Sequence, residues 1–220
     1  MMKKISILFI VMLLTLLSNA SFTLAKAEIS KEVEDLGIEE FPTVHEIDKA
    51  NEALDELVVQ ANENLANGIE SFYLRKSVEN GFIELTFTSY EVTPFLTNPY
   101  NAANTKFLAS TTAAASAVKK KVYSAYVKNT IGWNFQHVLA GEFTYSNGKI
   151  MGATKDARLT GLVYSESHNT WIDVLDPSVW YVHSHGNFKA FKYLVEYNTY
   201  LSVQLLGSGN YRITRAEISA

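Results

Sequence analysis

The chain has 220 residues, 19 basic against 23 acidic, and no cysteine, which excludes disulfide staples, zinc ribbons and thiol chemistry and leaves stability to a buried core. Charge and aromatics are unevenly spread: residues 28–79 hold 14 acids and 4 bases, whereas residues 80–220 hold 9 acids, 12 bases and 22 of the 27 aromatic side chains. That shift divides the chain into an acidic segment at 28–79 and a mildly basic one at 80–220.

Residues 1–27 read as an export signal. Lys3 and Lys4 precede the apolar run Ile5 to Leu17, and Ala25-Lys26-Ala27 is a small-x-small cleavage site. A helix of thirteen residues rises roughly 20 Å, too short for a hydrocarbon core of about 30 Å. The expectation is therefore a secreted, extracellular protein, and the plain Lys-Lys start suggests a Gram-positive bacterium.

The acidic segment predicts helix. Thr43-Val44-His45-Glu46 has the spacing of a capping box. Ile47, Ala50, Leu54, Leu57, Val58, Ala61 and Leu65 then recur at steps of three and four, one apolar stripe over 44–67, with Gly68 as a stop. A shorter helix is expected at Ser30–Leu36.

From residue 80 the period changes to two. Ile83, Leu85 and Phe87 alternate with Glu84, Thr86 and Thr88. Val122 to Lys128 is rich in β-formers. Trp133, Phe135, His137, Leu139, Gly141, Phe143 and Tyr145 make one core face of a long strand, and Gly141 marks a bend or bulge. Asn147-Gly148 is a hairpin turn, because both residues accept a positive φ at low cost. Further strands are expected at Leu159 to Ser165, Trp171 to Leu175, Val179 to His185, Phe191 to Leu205 and Tyr211 to Ile218. No helical pattern separates them, so the fold class is mainly β: an antiparallel β-sandwich or barrel-like domain preceded by an N-terminal helical segment.

Four groups of residues carry chemistry. His183 and His185 lie two apart on a strand, so both imidazoles share a face and offer a metal two nitrogens, without a third ligand at a recognisable spacing. Trp171, Trp180 and Tyr181 border the turn at Asp173–Pro177 and offer an aromatic edge for a ligand. Lys119, Lys120 and Lys121 form a basic run suited to a membrane or another anionic surface. Glu142, Glu166, Asp173, Asp176 and Glu196 include the carboxylates that glycoside cleavage would need in pairs. His137, inside an apolar face, reads as a core histidine. The serine-nucleophile and phosphate-loop motifs are absent. No cofactor is called for, and a net-acidic exported chain without a recognised module does not point to nucleic acid.

Three functions fit these observations. One is a secreted, non-catalytic β-sandwich that binds a cell-surface or envelope component, with a cell-envelope polymer or a membrane surface as the expected partner. Another is a bacteriocin-like, membrane-active antimicrobial protein whose acidic segment 28–79 is a releasable pro-segment, with the stretch Thr105–Val118 facing the membrane. A metal-dependent hydrolase built on His183 and His185 is the third.

Overall fold

The computed structural model describes residues 43–92, 118–131, 134–161, 165–190 and 195–219, all within the compact unit Pro42–Ala220. The expected signal at 1–27, the helix at Ser30–Leu36, residues 105–117 and Trp133 lie outside the described residues.

Helix α1 (Val44–Ala66) begins where the capping box places it. The Glu46 amide donates to Thr43 Oγ1 at 3.2 Å, and the Thr43 amide donates to Glu46 Oε2 at 2.7 Å. Ala50, Ala53, Leu54, Leu57, Ala61 and Leu65 form the buried stripe, and the chain leaves the helix through Gly68 at φ 75°.

Ten strands follow. β1 (Ser71–Val78), β2 (Gly81–Val92), β3 (Lys119–Asn129) and β4 (Phe135–Ser146) pair in chain order, and both β5 (Lys149–Ala153) and β6 (Asp156–Gly161) pair with β4. The second sheet is β7 (Ser165–Asp176), β8 (Val179–Ala190), β9 (Val195–Leu206) and β10 (Tyr211–Ser219), again in chain order. Every pairing is antiparallel. The architecture is a sandwich of two meanders, and neither sheet closes into a barrel among the described residues.

Local chemistry explains the corners. Asn147 (φ 52°) and Gly148 (φ 73°) supply the two positive φ angles of the β4–β5 hairpin. At Gly141 the partner of β4 changes from β6 to β5, and the Thr154 carbonyl passes so close that a Cβ there would lie 2.2 Å from its oxygen. The turn between β7 and β8 is Pro177-Ser178, shorter than the Asp173–Pro177 stretch expected, and Asp176 Oδ1 accepts from the Ser178 amide at 2.6 Å.

The division at residue 79/80 does not follow the fold. Ser71–Val78, inside the acidic segment, is strand β1 and pairs with β2 over its whole length, so the division cuts a hairpin. The helix is equally part of the sandwich. It packs on β1, β2 and β10, and its stripe joins the core made by Leu85 and Phe87, Tyr123, Leu139, Val182, Leu201 and Ile213.

Two asparagines fix that packing. Asn51 Nδ2 donates to the Ile218 carbonyl at 2.8 Å while its Oδ1 accepts from the Ile218 amide at 2.9 Å. Asn62 makes the same pair of bonds with Ile213, both at 2.8 Å. Each side-chain amide thus takes the place of one residue of a neighbouring strand along the open edge of β10.

Asn51→Ala and Asn62→Ala are each expected to lower unfolding stability by about 1–3 kcal/mol, because both leave a backbone amide and carbonyl without partners. Urea unfolding midpoints measure this. A chain starting at residue 80 lacks β1 and the helix stripe, and the same experiment should show no cooperative transition for it.

Candidate functional site

The outer face of β7–β10 gathers several of the candidate side chains. Directly paired residues of antiparallel strands share a face, so the register defines rows across the sheet. Trp171, His183, Ser202 and Arg215 make one row. Asp173, Tyr181, Gln204 and Arg212 lie on one side of it, and Asn169, His185, Tyr200 and Glu217 on the other. A fourth row is Ser167, Asn187, Asn198 and Ser219. Two carboxylates balance two guanidinium groups, and the rest are aromatic, imidazole, amide or hydroxyl groups.

The rings are ordered by stacking. His183 lies between Trp171 (4.9 Å between centroids, 20° between planes) and Tyr181 (5.9 Å, 6°). His185 stacks on Tyr200 at 4.6 Å and 3°, and the Arg215 guanidinium carbon sits 3.9 Å from the centre of the Tyr200 ring. Hydrogen bonds fix the remaining freedom. Asp173 Oδ2 is 3.1 Å from the Trp171 indole nitrogen and 3.3 Å from His183 Nε2. His183 Nδ1 is 2.8 Å from Ser202 Oγ, His185 Nε2 2.9 Å from Asn198 Oδ1, and Gln204 Nε2 donates to the Tyr181 hydroxyl at 2.7 Å. Burial between rings lowers the His183 pKa, against the pull of Asp173 in the other direction. On its β10 side the face falls into a crease of about 310 Å³ against α1, bordered by Asn51, Asp55, Arg215 and Glu217.

The residues singled out from sequence sort unequally. Trp171, 37% exposed, and Tyr181 stand together on this face. Trp180 does not join them: it pairs with Leu205, a core residue, and its indole nitrogen is buried without a partner among the described residues. Consecutive strand residues point to opposite faces, so Trp180 and Tyr181 cannot both serve one platform.

The same alternation splits the basic run. Lys121 turns inward, where it pairs with Glu70 and donates to the Gly209 carbonyl at 2.9 Å, while Lys119 and Lys120 pair with Glu91 (3.5 Å) and Glu142 (2.7 Å). The three lysines are matched one to one with carboxylates and form no common patch.

His183 and His185 do share a face, as expected, but both nitrogens of His183 and Nε2 of His185 are engaged as described, and no group of three or more His, Asp or Glu among the described residues is placed to hold a metal. The acids do not converge either. Glu142 belongs to the other sheet, Glu166 points away from Asp173 on β7, and Asp176 binds Ser178. Glu196 pairs with Lys189, eight residues from Tyr181 along β8 and so about 26 Å from Asp173. That is well outside the roughly 5–10 Å of a glycosidase pair. Sequence reading missed Ser202, Tyr200, Gln204 and Arg215, whose place depends on the pairing of β8, β9 and β10.

Asp173, His183 and Ser202 are hydrogen-bonded in the order of a hydrolase triad, but Ser202 is only 4% exposed. It stands mid-strand between two paired neighbours, so the nearby backbone amides serve the sheet rather than an oxyanion.

Beneath this face, His137 joins the two sheets. Its Nε2 is 2.7 Å from Ser184 Oγ on β8 and its Nδ1 2.8 Å from Thr199 Oγ1 on β9, in a fully buried setting. No protein family, no curated protein and no solved structure matches this chain.

Burial pushes the His137 pKa from its ordinary 6.5 down to about 4. The unfolded chain therefore takes up the proton first as pH falls. The stability held above pH 6.5 is lost progressively between there and about pH 4, by about 3 kcal/mol in all. Urea unfolding from pH 7 to 4 should show that slope, and His137→Asn should be less stable at pH 7 and lack this component.

Proposed function

We propose that the chain is a secreted, non-catalytic β-sandwich that binds a neutral polysaccharide of a cell surface through the outer face of β7–β10. The observation that carries this reading is the composition of that face. Stacked rings alternate with uncharged amides and hydroxyls, and the four fixed charges cancel. Sugars offer apolar C–H faces to aromatic rings and hydroxyls to amides, and a neutral polymer is not repelled or steered by such a surface. Trp171 is the anchor. His183 covers one side of its indole, and among the described residues no strand pairs with the far edge of β7, so the other side is the accessible one.

The flatness of the face suits a polymer better than a small molecule, which needs a concave pocket to bury most of its surface. Export, the envelope as the place of action, and a polymer partner remain parts of the proposal. The pro-segment reading loses support because α1 and β1 supply core and sheet, and the hydrolase reading because the acids are dispersed and Ser202, the serine bonded to His183, is buried.

The test is binding of soluble neutral glucans and mannans, followed by Trp fluorescence and affinity electrophoresis. Trp171→Ala is expected to weaken binding roughly thirtyfold, the effect of losing an aromatic hot spot of about 2 kcal/mol. Tyr73→Ala, on the other sheet, should leave it unchanged. Equal affinity of the Trp171→Ala variant would remove the platform from the reading.

A further inference from the structure

The outer face of the six-stranded sheet carries a different chemistry. Its register sets Arg75, Glu84 and Lys128 side by side on β1, β2 and β3, with Gln136 next on β4. The adjacent row runs from Tyr73 through Tyr126 to Arg158 on β6. These two rows hold three cations and one carboxylate, a local excess of two positive charges in a chain of net charge −4.

The lone acid organises the cations. Glu84 is 7% exposed and accepts from the Tyr73 hydroxyl, while Arg75 Nη1 and Lys128 Nζ each stand 3.9 Å from its oxygens. Phe82 holds the same two groups from the other side: the Arg75 guanidinium carbon is 3.5 Å and Lys128 Nζ 5.4 Å from its ring centre. The cation heads stay in water, with Arg75 48% and Lys128 30% exposed. Arg158 is exposed and makes no ion pair among the described residues; Asp156, one row away, is the nearest acid on that face of β6. The contrast with Lys119–Lys121 is plain, since those three are each matched to a carboxylate.

Arg75, Lys128 and Arg158 lie on alternate strands, so they step across the sheet at about 10 Å intervals over about 20 Å. We propose that this face is a second binding surface, for a linear polyol phosphate polymer. A line of separated cations matches repeating phosphodiesters better than a single anion, and arginine pairs with phosphate in a bidentate fork. A lipid surface fits less well. Among the exposed aliphatic side chains of this sheet, Val118 precedes β3 at the end opposite Lys128 and Met151 lies on β5, while the exposed Tyr73 beside the cations is tied by its hydroxyl to Glu84. This surface does not depend on the neutral platform, which faces the other way on the other sheet.

The experiment uses the full exported chain and immobilised poly(glycerol phosphate), with a neutral glucan and phosphatidylglycerol vesicles as parallel probes. Binding to the polyphosphate is expected, falling roughly fifteenfold between about 50 and about 200 mM salt, since three contacts to a single chain give a log–log slope near −2. Arg158→Gln, which breaks no ion pair, should weaken binding roughly fivefold, an amount typical of one exposed charge contact. Arg75→Lys should weaken it less than Arg75→Gln, and Trp171→Ala should leave it unchanged. Retention by the vesicles alone, no binding at low salt, or full affinity in Arg158→Gln would each overturn the assignment.

Discussion

The edge of β10 is the constraint on which the rest of the structure turns. Two meanders packed face to face leave the last strand unpaired on one side, and an open edge invites further strands. Here two asparagine side chains close it. Eleven helical residues separate Asn51 from Asn62, about 16 Å along the axis. Five strand residues separate Ile213 from Ile218, also about 16 Å when extended. The match lets one straight helix meet the strand twice, and two fixed points determine the height and rotation of α1 together. That rotation turns Leu54, Leu57 and Ala61 into the core and leaves Glu52, Asp55 and Glu56 in water. The acids carried by α1 therefore line the solvent face of a helix that the core needs.

The histidine between the sheets ties the core to the platform. His137 reaches Ser184 and Thr199, and these two alternate along their strands with residues of the opposite face. Ser184 sits between His183 and His185, and Thr199 between Asn198 and Tyr200. A shift of β8 or β9 by one residue would bury the imidazoles and expose the hydroxyls that His137 needs. One hydrogen-bonded core residue thus specifies which side chains β8 and β9 present to solvent. Its neutral state at ordinary pH follows from the same burial, since a charged imidazole there would have two hydroxyls for partners and no carboxylate bonded to it among the described residues.

Where the chemistry is local, the sequence was legible. The capping box, the apolar stripe of α1, the Asn-Gly hairpin and the core face of β4 all depend on residues within a few positions of one another; the box and the hairpin stand as read, the stripe gains Ala53 and leaves Ile47 and Val58 half-buried, and the β4 face is seen from Phe135 onward. The order of strands was partly legible, because short turns favour chain neighbours as partners. Strand β1 was not: Ser71–Val78 alternates weakly, with Arg75 and Lys76 adjacent, and it is a strand because β2 and α1 offer it a place. The site was half legible. Two-residue spacing was enough to place His183 and His185 together, and Trp171 and Tyr181 do stand on one face. The same rule, applied to Trp180 beside Tyr181 and to three consecutive lysines, already separates them onto opposite faces. Ser202, Tyr200 and Arg215 needed the register of three strands, which no local pattern encodes.

The two outer faces show what a regular sheet can and cannot do. Most backbone amides and carbonyls in the middle of such a sheet serve the ladder, so few are left to stabilise developing charge or to cradle an anion. What a flat sheet does offer is a lattice of side chains at fixed spacings, about 5 Å between strands and about 7 Å along them. Repeating polymers are the ligands that use such a lattice fully, because each unit meets an equivalent step. On β7–β10 the lattice is filled with rings and neutral hydrogen-bonding groups. On β1–β4 and β6 it carries cations, two of them flanking one buried carboxylate. The chemistry differs between the faces, but the geometry of both favours holding a chain over transforming a small molecule.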